Sequence, residues 1–141
     1  MDALGPLRRF SFSIEAPLAE RLQRMVRESR YANRSEFIRD LVRGRMVEQL
    51  WERDAEALGT LSLLYDHHRR GLNERLVDIQ HHQEARVLAT THVHLDGRLC
   101  AEMIMARGRA GEIRHLFDHL RREKGVLHAA LSLGSAGERL A

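Results

Sequence analysis

Arg9-Phe10-Ser11-Phe12-Ser13-Ile14 alternates polar and apolar side chains, the pattern of a half-buried strand. Phe10, Phe12 and Ile14 make one face, and Arg9, Ser11 and Ser13 the other. A helix is predicted from about Pro17, a residue suited to a first turn, with Leu18, Leu22, Met25 and Val26 at helical spacing. Ser29-Arg30-Tyr31-Ala32 breaks that pattern. Asn33-Arg34-Ser35-Glu36 then has the form of a capping box, with Asn33 capping and Glu36 reaching back. A second helix carries Phe37, Ile38, Leu41, Val42, Met46 and Leu50 on its apolar side.

One strand and two helices do not suffice alone. A lone strand leaves its N–H and C=O groups without partners, and so small a core is marginal. A second copy, pairing antiparallel about a two-fold axis, answers both needs with a two-stranded ribbon over four helices. The outer face of that ribbon shows Arg9, Ser11 and Ser13 twice, and a ribbon fits the major groove of B-DNA. Arg donates a bidentate pair to guanine, and Ser donates or accepts. These residues resemble the ribbon-helix-helix DNA-binding fold, including the Asn33–Glu36 turn. The blander alternative is a dimerisation module whose polar strand face is merely solvated.

Beyond a connector over Trp51–Leu58 the pattern changes. Thr60–Tyr65 reads as a strand, and a helix follows from about Arg70 to His82. Val87–Leu95 and Leu99–Ala106 read as strands around Asp96-Gly97-Arg98. Ile113, Leu116, Phe117 and Leu120 mark a helix ended by Gly125, and Val126–Leu133 closes as a strand. The order β-α-β-β-α-β is the ferredoxin-like split arrangement, also used by ligand-sensing ACT domains. The expected class is therefore α+β, with a ribbon-helix-helix (βαα) domain over 1–52 and an ACT-like domain over 53–141.

Within that second domain, His81, His92, His94 and Cys100 read His-x10-His-x-His-x5-Cys, and Cys100 is the only cysteine. Three imidazoles and a thiolate make a complete four-ligand set for a borderline-soft transition metal. His92 and His94 lie two apart on a strand, so their rings leave one face. Cys100 joins them only if the hairpin loop has odd length. A two-residue Asp-Gly turn would put the thiolate on the opposite face, so the expectation is a three-residue loop, Leu95-Asp96-Gly97, with Gly97 left-handed in a bulge. Tetrahedral Zn(II) and Cu(II) could use the same donors, so these residues by themselves support a transition metal of unspecified identity. His115 and His119, four apart on a helix, could clip a metal but read as solvated. His67 and His68 read as polar surface, and His82 faces away from His81.

Composition narrows the class. Of 23 Lys and Arg, 10 fall in the first 50 residues against 7 of the 20 Asp and Glu, and the later residues balance at 13 each. All nine His lie beyond residue 66. A basic head and a His-bearing tail suit two tasks. With 43% hydrophobic residues, no run near the ~20 of a membrane span and no signal-peptide pattern at Met1–Pro6, the chain reads as soluble. A lone Cys fits a reducing cytoplasm. Catalysis needs an open coordination position and a base; four ligands fill a square plane, so no enzyme is expected.

From Arg9 to Leu133 the chain resembles the nickel-responsive transcriptional regulator (NikR) family. The resemblance rests on Arg9-Phe10-Ser11-Phe12-Ser13, Asn33-Arg34-Ser35-Glu36, Gln80-His81-His82 and His92-Val93-His94…Cys100. It implies a nickel-dependent repressor of nickel uptake or use, with one square-planar Ni(II) per subunit held by His92, His94 and Cys100 of one protomer and His81 of another. It implies a dimer of dimers binding double-stranded operator DNA through Arg9, Ser11, Ser13, Asn33, Arg34 and Ser35, with Arg69 and Arg70 on phosphates. It also implies a weaker second cation site at Glu36 and Asp40. Relatives often carry Thr at Ser11 and Ser13, and further His at Gln83 and Glu84. The competing readings are a repressor sensing another metal or an amino-acid effector and, more remotely, a metalloenzyme.

Overall fold

The computed structural model describes residues 5–137 and Leu140. Of the arm expected before Arg9, residues 1–4 lie outside the described residues. Contacts divide the chain into two compact units, one reaching Met46 and the other Val47–Gly137.

In the first unit, residues 5–15 form no ladder and are exposed. The strand expected at Arg9–Ile14 is thus absent from the single chain, because a ladder needs a second strand and the described residues of this unit hold none. Helix α1 (Ala16–Glu28) starts with Pro17 in its first turn. Arg30 is left-handed at φ 62 and turns the chain into α2 (Arg34–Glu52). Asn33 caps as expected, its Oδ1 accepting from the Glu36 N–H at 3.0 Å. The other half of the box does not form, because the Glu36 carboxylate pairs with Arg39 one turn on. Phe37 alone among this unit's described hydrophobics is buried, under the edge of Tyr31 at 5.9 Å. Leu18, Met25, Leu41 and Val42 are about half exposed.

The second unit is a four-stranded antiparallel sheet with two helices on one face. Its elements are β1 (Glu56–Asp66), α3 (Leu72–His81), β2 (Arg86–His94), β3 (Leu99–Arg109), α4 (Ala110–Arg122) and β4 (Val126–Gly134), in sheet order β2-β3-β1-β4. Ala57, Leu61, Leu63 and Tyr65 of β1 and Cys100, Ile104 and Ala106 of β3 meet Leu72 and Leu76 of α3 and Ile113, Leu116 and Leu120 of α4 in one core. Val47, Leu50 and Trp51 at the end of α2 join it. Trp51 is buried, donates its indole N–H to the Gly134 carbonyl at 2.9 Å and lies under the Arg114 guanidinium at 5.3 Å.

Some boundaries differ from expectation. β1 starts at Glu56, before Thr60, because Ala57 and Gly59 continue the inward alternation; a Cβ on Gly59 would approach Ile113 Cγ2 to 2.6 Å. α4 ends at Arg122, and Gly125, at φ 114, serves the following turn. Asp54, left-handed at φ 53, holds the start of α4 by accepting from the Gly111 N–H at 2.6 Å.

Candidate metal centre

β2 is an edge strand, and its register with β3 decides where its histidines point. His94 pairs with Cys100 and His92 with Glu102, after a register shift between Val87 and Ala89. The loop is Asp96-Gly97-Arg98: Leu95 N–H donates to the Leu99 carbonyl at 2.9 Å, and Asp96 Oδ1 accepts the N–H groups of Arg98 and Leu99, each at 2.7 Å. The odd loop length is as expected, but the loop lies one residue later, and Gly97 is not left-handed. The Asp96 side chain supplies the closure that a bulged glycine was expected to provide. His92, His94 and Cys100 consequently share the helix-covered face.

On that face the Cys100 Sγ lies 3.1 Å from His94 Nδ1, and the rings of His92 and His94 are 5.0 Å apart. Cys100 is fully buried, and burial pushes its thiol above the usual range. Desolvation does the same to Tyr65, raised to about 12 with the Glu102 charge adding to it. Tyr65 Oη lies 3.4 Å from His92 Nε2. Glu102 accepts from Gln80 at 2.9 Å, and Gln80 accepts from Thr90 at 3.2 Å, so hydrogen bonds join α3 to the ligand strands.

His67, expected to be plain surface, is part of the cluster. His67, His94 and Cys100 offer ligand atoms all within 4.8 Å of one another. The loop after β1 holds it there: His67 N–H donates to the Arg98 carbonyl at 3.0 Å, Nε2 lies 3.2 Å from the Gly97 carbonyl, and Asp66 binds Arg98 at 2.7 Å. That pairing with Arg98 keeps the Asp66 carboxyl below its usual range. The signal was present in the sequence, because a ferredoxin-like sheet puts β1 beside β3, and Tyr65 indeed pairs with Cys100.

His81 is elsewhere. It lines an exposed groove of α3 with Asn73, Glu74, Val77, Asp78 and His82 and a cavity shared with Gln80, Thr90 and Glu102, outside the His67–His94–Cys100 set. The donors present fit a transition ion, because a thiol 3.1 Å from an imidazole, inside a ring of further imidazoles, is soft–borderline chemistry.

The residues expected on DNA are spread over several segments. Arg9, Ser11 and Ser13 lie exposed before α1, Asn33 to Ser35 start α2, and Arg69 and Arg70 sit exposed in the loop before α3. Glu36 is engaged with Arg39, and Asp40 lies near enough to Tyr31 to push its phenol above the usual range. Among the described residues, no helix is long and apolar enough to cross a membrane.

An exposed arm and a capped helix pair in one unit, and a β-α-β-β-α-β sheet bearing a His and Cys cluster in the other, make a two-module protein. Comparison with known proteins specifies it. Residues 8–49 match the ribbon-helix-helix protein, copG family, and residues 58–133 match the NikR C terminal nickel binding domain. A protein of Desulfotalea psychrophila named "Putative nickel-responsive regulator" is 42% identical over 95% of this chain and 98% of its own. One of the same name from Geobacter sulfurreducens is 42% identical over 97% and 99%. The chain belongs to the nickel-responsive regulator (NikR) family; it is a transcription regulator and not an enzyme. A solved ACT domain from GTP pyrophosphokinase of Chlorobium tepidum has 13% identity and a TM-score of 0.48 over 55% of this chain and all of that one, too remote a likeness to carry argument.

Proposed function

We propose that this chain is a cytoplasmic repressor that binds operator DNA when loaded with one Ni(II) per subunit, controlling nickel uptake or use. The observation that carries the reading is the thiol of Cys100 beside the His94 ring, with His92 on the same face. His92, His94 and Cys100 would hold the ion, and His81 of a neighbouring protomer would complete the set. When bound, nickel supplies the coordination bonds that tie two protomers at the sensor core. Gln80 and Glu102 orient the end of α3, which carries His81, against the ligand strands.

DNA binding would fall to residues 1–52 as a ribbon-helix-helix dimer, with Arg9, Ser11 and Ser13 on bases and Asn33, Arg34, Ser35, Arg69 and Arg70 on phosphates. Residues 53–141 would sense metal and assemble the dimer of dimers. The sheet face turned from the helices supports that assembly, since Val93, Met103 and Met105 lie exposed on it. Metal and DNA then strengthen each other through one coupling free energy. Glu36 and Asp40 remain candidates for a second cation only if Arg39 releases Glu36.

The test is a Ni(II) titration followed by DNA-shift assays on the chain's own upstream region and on neighbouring transporter genes. Expected is a thiolate-to-nickel charge-transfer band saturating at one equivalent, and an operator shift only with metal. Cys100→Ser should keep the fold and lose both, because a hydroxyl is a poor soft donor. Full metal-dependent shifting by Cys100→Ser would overturn the ligand set.

A further inference from the structure

We propose that Arg75 on α3 is a positioning residue for DNA binding: bridged to Glu123, it braces the Arg69–Arg70 loop so that both guanidiniums meet phosphates. The inference rests on the reading of that loop as a phosphate contact and adds what holds it in place. Arg69 and Arg70 are exposed, and among the described residues no carboxylate takes either guanidinium. Two such arginines on a loose loop would lose much of their value, because ordering the loop on the DNA costs conformational entropy. This loop is not loose. Gly71, left-handed at φ 71, turns its backbone, and the Leu72 N–H donates to the Arg69 carbonyl at 3.1 Å.

Arg75 closes that turn from the helix side. Its Nη1 donates to the Arg70 carbonyl at 3.4 Å, while its Nε donates to Glu123 Oε2 at 2.8 Å. Glu123 follows the last turn of α4, and the turn it begins is joined to β1, where the Asp66 N–H donates to the Gly125 carbonyl at 3.2 Å. The same turn seats Arg69, since a Cβ on Gly125 would come within 2.8 Å of Arg69 Cγ. One guanidinium thus spans the basic loop and the α4–β4 turn, a two-sided contact that the rigid fork of arginine allows.

The experiment uses the full chain loaded with one Ni(II) per subunit and a DNA duplex from its own upstream region. Arg75→Ala should bind about tenfold more weakly at about 0.1 M salt, with a slope of log K on log salt shallower by about one, the signature of a lost phosphate contact. The nickel charge-transfer band should not change, and circular dichroism should match the parent, since an exposed ion pair adds little to stability. Glu123→Ala separates positioning from charge. Removing a carboxylate beside phosphates tightens binding by charge alone, whereas losing the brace weakens it. Expected is weakening of the same size as in Arg75→Ala, with no further loss when the two are combined. Parent-like or tighter binding by either variant, additive losses, or a changed nickel band overturns the brace. Arg70→Ala tests the reading beneath it. A silent Arg70→Ala discards the phosphate contact itself, whereas a weakened Arg70→Ala beside a parent-like Arg75→Ala discards the brace alone.

Discussion

At Cys100 a single backbone parity decides the chemistry. With Leu95 facing Leu99 across a three-residue loop, even-numbered residues of β2 meet even-numbered residues of β3, and the thiol joins His92 and His94. That parity was legible in the sequence, since only an odd loop makes the ligand set possible. The closure by Asp96 was not, because glycine at a hairpin suggests a left-handed turn and a side-chain cap leaves no mark in composition. His67 escaped for a related reason: a residue just past a strand has no periodicity to place it. It also poses a question that His81 shares. His81→Ala should abolish the charge-transfer band at one equivalent of nickel, while His67→Ala should retain it. The reverse result would make the ion a single-chain ligand of His67, His94 and Cys100. Asp54 supports a separate prediction. The Gly111 N–H and then Arg109 hold its carboxyl below the ordinary 3.8, so its contribution to stability is present above that value and fades as pH falls through the lower folded value. Asp54→Asn, which tolerates the left-handed backbone, should be less stable at pH 7. In urea melts the gap to the parent should close below about pH 4. A gap that stays constant with pH would mean the charge is idle.

Among the elements, α2 shows most clearly what pattern reading captures and what it omits. Its start was fixed by Asn33 and its apolar side by Phe37 and its helical neighbours, yet nothing in the sequence told which unit its end belongs to. The contact divide falls between Met46 and Val47, inside the helix, so Leu50 and Trp51 pack with the sheet. The β-α-β-β-α-β order was readable because each element carries its own periodicity. The extra length of β1 was hidden in Ala57 and Gly59, which look like connector until Ile113 is seen against them. Gly44 lies in the interior of α2, where a Cβ would meet nothing within 4 Å. Gly44→Ala should therefore raise stability by about 0.5–1 kcal/mol, the entropy that glycine forfeits in a helix. A urea midpoint that falls would show that another chain approaches the backbone there.

For the molecule as a whole, the two units leave different surfaces unfinished. Among its described residues the first has one buried hydrophobic, Phe37, while Phe10 and Phe12 are 85% and 60% exposed. Its strand pattern was visible in the sequence, but its ladder cannot exist in one chain. The second has a full core on one side of the sheet and an open face on the other, where Val93, Met103 and Met105 are 47%, 52% and 40% exposed. Val93 pairs with Ala101, two residues along β3 from Met103, so these side chains are continuous on that face. Apolar surface that no helix covers is what a face-to-face sheet contact buries. Met103→Glu puts a charge on that face without touching the core, which lies on the other side. Sedimentation should then show a smaller assembly than the parent, with unchanged secondary structure. A Met103→Glu protein that keeps its parent size would mean the open face contacts solvent, and that the sensor core assembles elsewhere.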